Sequence, residues 1–187
     1  MQTIENSLLQ VSVDENDARL AHIISKQGDI DYLADGTKQE KTAVVFPAAG
    51  DEDNLALKLP WIVVDKGDAR VSLTLIDTPS SYKKYPYHFE LMVTYSLEGN
   101  QIKINFHVKN NSNKVMPFSL NYKLPLLSKI VEESVTRIIL AASDKKVIFE
   151  STDFKIQVEQ DGLSCMLEQA ELAGEAGQDY ALSFTFE

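Results

Sequence analysis

Cysteine is nearly absent from this chain. Cys165 stands alone among 187 residues, so no intramolecular disulfide can form. Histidine is scarce as well: His22, His88 and His107 stand singly, without the spacing of metal ligands, and no metal is expected. No glycine-rich loop opens a helical pattern, which excludes a P-loop and a dinucleotide fingerprint, so no nucleotide cofactor is expected either. No serine sits in a nucleophile elbow. Cys165, in "LSCMLE", has no histidine near it in sequence and reads as a small buried thiol in a strand. No apolar run approaches the roughly 20 residues of a transmembrane helix. The start, "MQTIENSLLQVSVDEN", carries neither a basic stretch nor an apolar core, so no signal peptide is expected and a cytoplasmic location is. Positive charge is in deficit too. Eighteen Lys and Arg face 28 Asp and Glu, a net charge of −10, which repels phosphate backbones and anionic membranes and argues against both as partners.

What the chain does have is alternation. In "FELMVTYSL", Phe89, Leu91, Val93, Tyr95 and Leu97 take one face; in "QIKINFHVK", Ile102, Ile104, Phe106 and Val108 do the same. The turn "EGNQ" between them predicts a β-hairpin. The same period of two recurs in "VSLTLID", "DFKIQVEQ" and "YALSFTFE", and more weakly in "LLQVSV", "RLAHIIS", "TAVVF", "WIVVDK", "RIILAA" and "KVIFE". Many short strands with one apolar face predict an all-β, antiparallel sandwich. Residues 1–187 read as one domain, since no loop is long enough for a linker and 44% apolar content is ordinary for a globular core. "LPLLSKIVEESVTR" is ambiguous: the spacing of Leu127, Ile130, Val131 and Val135 fits one or two helical turns, while Pro125 and the β-branched residues speak against them.

Residues that carry chemistry are few. The three histidines read as surface or satisfied side chains, and Asp51, Glu52 and Asp53 as a solvated acidic loop. "NNS" at 110–112 matches a glycosylation pattern but has no secretion signal to support it. In "MPFSLNYKLPLLS", Lys123 stands between Tyr122 and Leu124, a charge inside an apolar stretch.

The segment "YPYHFELMVTYSLEGNQIKINFHVKNNSNKVMPFSL" resembles the centre of the aldose 1-epimerase (galactose mutarotase) family, with its tyrosine-proline, "FEL" strand, "Y-x-L-x-G-N" turn, "VKN" strand end and "MPFSL" phrase. Upstream, "ARLAHIISKQGDIDYL" is similar to the family's early strand pair, "AVVFPAAG" to its "FP-x-x-G" segment and "LPWIVVDKGDARVSLTL" to the strands that follow. "GLSCMLEQ" and "LAGEAGQDYALSFTFE" look like shortened forms of its last strands. The resemblance implies the family's twisted antiparallel supersandwich, here truncated. It also implies the family's activity, interconversion of the α and β anomers of an aldose, in which a glutamate base and a histidine acid move protons at the anomeric hydroxyl and the ring oxygen.

The departures fall on the chemistry. Lys123 occupies the position of the acid histidine, and Leu124 that of the proline after it. Where a second histidine belongs, ahead of the tryptophan, the chain has "DEDNLALKLPW", with Asp53 or Asn54 nearest and Lys58 near the position of an arginine. Glu168, in "CMLEQ", is the candidate base. Asp53, Asn54, Lys58 and Tyr122 are the candidate sugar-binding residues, and Trp61, Tyr82, Tyr85 and Tyr122 the candidate stacking aromatics. A lysine ordinarily titrates at about 10.4, a poor match for proton exchange near neutrality. Three readings stay open. The chain is a degenerate, non-catalytic relative that binds a monosaccharide or regulates carbohydrate metabolism; or an isomerase using Glu168 and Lys123 as base and acid; or an interaction module whose concave sheet face is buried in a homo-oligomer.

Overall fold

The computed structural model describes residues 1–33, 43–48, 53–125, 129–142, 145–159 and 162–187, with Ala142 and Glu168 described by backbone alone. The described residues form sixteen strands, every pairing of which is antiparallel. The strands are β1 (Gln2–Glu5), β2 (Leu9–Asp14), β3 (Arg19–Ser25), β4 (Ile30–Asp31), β5 (Ala43–Val45), β6 (Ile62–Lys66), β7 (Arg70–Ile76), β8 (Phe89–Glu98), β9 (Gln101–Asn110), β10 (Met116–Pro125), β11 (Lys129–Glu133), β12 (Arg137–Ala142), β13 (Lys145–Glu150), β14 (Lys155–Val158), β15 (Gly162–Leu172) and β16 (Gly177–Phe186).

They build three sheets, ordered β1-β2-β3-β4, β14-β15-β10-β5 and β11-β12-β13-β16-β9-β8-β7-β6. The eight-stranded sheet is one layer of a sandwich, and the two smaller sheets share the other. Alternation explains the arrangement. Across β7, β8, β9 and β16, residues Leu73, Val93, Phe106 and Tyr180 stand in one register row, and all are buried. From β10, Tyr122 meets Phe106 edge-on at 5.6 Å and Phe118 meets Tyr180 at 6.3 Å. The first sheet closes on the same core, with Tyr32 against Phe186 at 4.9 Å. Burial of this aromatic and aliphatic face is the main favourable contribution to folding, at about 25 cal/mol per Å² of apolar surface.

The expected hairpin is present: β8 and β9 pair from Phe89↔Asn110 to Glu98↔Gln101, and Gly99 in the turn has φ +60°, a left-handed conformation that glycine adopts without strain. The ambiguous segment resolves as strand. Lys129–Glu133 is strand β11, paired with β12 and interrupted by a bulge at Val131, while residues 126–128 lie outside the described ones. The β-branched Ile130 and Val131 suit a strand, and pairing with "RIILAA" overrides the short helical spacing. Asn110 is fully buried and its amide donates to the carbonyls of Lys114, Leu172 and Ala173, so the glycosylation motif is a structural lock between two turns.

Candidate functional site

β10 alternates strictly. Met116, Phe118, Leu120, Tyr122 and Leu124 face the core, so Pro117, Ser119, Asn121 and Lys123 face outward from the small sheet. Lys123 pairs with Ser164 of β15 on one side and Ala43 of β5 on the other. It is half-buried, and its ammonium makes no hydrogen bond or ion pair with any described residue.

Farther along the same face the ladder breaks. Phe118 pairs with Ala170, but Leu120 pairs with Leu167, so β15 carries one residue more than its partner. The extra length falls at Glu168 and Gln169, and Gln169 adopts φ +49°. This β-bulge re-aims side chains at the strand's outer face. The candidate base Glu168 therefore sits in the bulge, four positions along β15 from Ser164, which separates its backbone from that of Lys123 by roughly 13 Å. Its side chain lies outside the described residues.

Beside the bulge is an open groove of about 450 Å³, lined by Pro47, Pro117, Ser119, Gln169, Ala170 and Glu171 along with Phe118. The Ser119 amide donates to the Pro47 carbonyl at 2.7 Å, fixing one wall to the floor. The serine hydroxyl, the glutamine amide and the Glu171 carboxylate are its polar groups, and the proline rings supply apolar surface. Sequence reading did not find this groove. Ser119 is an ordinary outward strand residue, and nothing in "LEQAEL" signals a bulge.

The other candidates disperse. Asn54 is buried and its side chain is occupied: Oδ1 accepts from the Phe46 and Ala56 amides, each at 3.1 Å, and Nδ2 donates to the Val44 carbonyl. It caps the short 3-10 turn Leu55–Leu57. The polar atoms of this candidate sugar-binding residue are held by backbone. Tyr122 faces the core. It has 0% exposure, and its hydroxyl lies 3.4 Å from that of Tyr95 inside the core. Asp53 and Lys58 are exposed at the two ends of the turn that Asn54 caps. The aromatics form no shared platform: Trp61 is buried with its Nε1 donating to the Ala56 carbonyl, Tyr85 donates to the Pro117 carbonyl, and Tyr82 stacks on His88 at 4.8 Å.

Each histidine is satisfied by an aspartate. Nδ1 lies 2.6 Å from Asp31 in His22, 2.8 Å from Asp77 in His88 and 3.0 Å from Asp179 in His107. None stands on β10 or in the segment before Trp61. No cluster of metal-ligating side chains occurs among the described residues, and no described helix is long and apolar enough to cross a membrane.

The aldose 1-epimerase family model matches residues 40–123. No curated protein matches the chain in sequence. Among solved structures, a galactose mutarotase-like protein from Lactobacillus casei superposes with a TM-score of 0.82 at 18% identity, covering all of both chains. A galactose mutarotase related enzyme from Lactobacillus acidophilus gives 0.76 at 16% identity, over 100% of this chain and 97% of that one. A galactose mutarotase-like protein from Clostridium acetobutylicum gives 0.73 at 10% identity, over 99% and 94%. At these identities the superpositions establish the galactose mutarotase-like β-sandwich fold, and residues 40–123 are similar to the aldose 1-epimerase family.

Proposed function

We propose that this chain binds a carbohydrate without interconverting its anomers. The observation that carries the reading is the face of β10. There Lys123, at the position of the family's acid histidine, shares the outer surface with the Ser119–Gln169 groove, while all three histidines are engaged elsewhere with aspartates.

Ring opening of an aldose needs one group to take the anomeric proton and another to protonate the ring oxygen, both able to exchange protons near neutrality. A lysine ammonium ordinarily holds its proton through that range. Binding needs less. The groove has the size of a small-ligand site. The rings of Pro47 and Pro117 suit the C–H face of a sugar, and Ser119, Gln169 and Glu171 offer the mixed donors and acceptors that hydroxyls pair with.

Saturation-transfer NMR with D-galactose and D-glucose tests the binding. The native chain is expected to transfer saturation to at least one sugar, and Glu171→Trp, which fills the groove from the outward position opposite Pro117, to abolish it. Transfer that survives unchanged in a folded Glu171→Trp protein would place binding elsewhere. No transfer from the native chain would favour the interaction-module reading.

A further inference from the structure

The eight-stranded sheet has its own outer face, on the opposite side of the sandwich from Lys123. Side chains there stand in register rows. One row runs Ser96, Lys103, Ser183, Glu150 across β8, β9, β16 and β13. The next runs Ser72, Thr94, Asn105, Ala181 across β7, β8, β9 and β16.

Two long side chains on β9 would fill the middle of this face, but both are pulled aside. Lys103 reaches to Glu98 at the hairpin end, Nζ to Oε2 at 2.6 Å. Asn105 reaches the other way, donating to Asp179 at 3.0 Å. Between them the floor is left to small residues, Ser96, Ser183 and Ala181. Glu150, Thr136 and Thr152 stand along one side. The result is a groove of about 410 Å³. The Ser96 and Ser183 hydroxyls make no hydrogen bond with any described residue.

We propose that this groove is a second binding site, for an uncharged polyhydroxylated ligand of saccharide class. Its charges cancel locally, since Lys103 is neutralised by Glu98 and Glu150 lies 3.8 Å from Arg137. It therefore selects for neither an anion nor a cation. The unpaired hydroxyls beside fixed charged and amide groups are donors and acceptors at set positions, the pattern that reads the hydroxyls of a sugar. An extended peptide is a poor occupant, because the backbones of β8, β9 and β16 are paired on both sides and offer no edge for strand addition. The site does not depend on the Ser119 groove.

Amide chemical-shift mapping with maltose, D-galactose and D-glucose as probes tests it. Perturbations are expected at Lys103, Asn105, Ala181 and Ser183, and Ser183→Trp is expected to weaken binding there at least about tenfold. Ala181→Trp is the second blocking variant, and mapping on the native chain needs neither substitution. Shifts confined to Ser119, Ala170 and Glu171 would overturn the second site while supporting the first. No shift on either face at millimolar sugar would overturn both. Shifts on the outer face that persist in a folded Ser183→Trp protein would also overturn the assignment.

Discussion

The Tyr95 hydroxyl donates a 2.6 Å hydrogen bond to the carbonyl of Ala18, joining the large sheet to the β2–β3 turn inside the core. Ala18 is itself buried, with φ +55°, so the turn holds a left-handed alanine. Burial raises the Tyr95 phenol above its ordinary range and keeps it a neutral donor. Tyr95→Phe removes the donor and leaves the Ala18 carbonyl buried without it. Denaturant unfolding is expected to show a loss of about 1–3 kcal/mol. A change below the error of the measurement would mean that water replaces the hydroxyl.

Gly174 lies in the turn between β15 and β16, where an added Cβ would stand 2.7 Å from the Asn113 carbonyl carbon and 2.9 Å from its oxygen. Those are backbone atoms of the turn that Asn110 holds, and they cannot swing away. Gly174→Ala is expected to destabilise by about 1–3 kcal/mol through overpacking. At Gly99 no atom lies within 4 Å of the added Cβ. Gly99→Ala therefore carries only the cost of its positive φ, about 1–2 kcal/mol. Thermal unfolding of the pair separates crowding from backbone strain, and the prediction fails if Gly174→Ala melts with the native protein.

The Asp179 carboxyl is held below its ordinary value of 3.8, first by the Asn105 amide, with burial the next effect and opposing it, and then by the hydrogen bond and charge of His107. A depressed folded pKa stabilises the fold above the unfolded value, and that contribution is lost as pH falls through the folded one. Because Asp179 is 64% exposed, solvent screens the effect and its share of stability is small. Asn105→Ala is expected to raise the Asp179 pKa, as read by carbon NMR of the carboxyl. An unchanged titration would show that the amide does not hold the carboxylate in solution.

Much of the sandwich was legible because one face of each long strand is apolar. β7, β8, β9 and β16 could be read from their alternation, and the hairpin from its glycine turn. β11 was not, since five residues rich in both charge and β-branching fit either period until β12 supplies a partner. The short β1 and β4 carry too few apolar residues to announce themselves.

The site was legible only as far as strand parity reaches. Parity puts Lys123 on the outer face and Tyr122 in the core, but a resemblance in sequence lists both together. Asn54 reads as a polar loop residue, and only the folded chain reveals that its amide caps a 3-10 turn and holds Phe46. The bulge at Gln169 depends on register between β10 and β15, which no local pattern encodes. The groove on the large sheet arises from where Lys103 and Asn105 find their partners, residues brought near by the hairpin and by β16.

The most direct test is the anomerisation rate itself. Freshly dissolved α-D-galactose and α-D-glucose, followed by polarimetry with and without the protein at neutral pH, are expected to equilibrate at the buffer rate. Acceleration beyond buffer by the native chain, abolished by Lys123→Ala or Glu168→Gln, would contradict the non-catalytic reading and assign the reaction to those two residues.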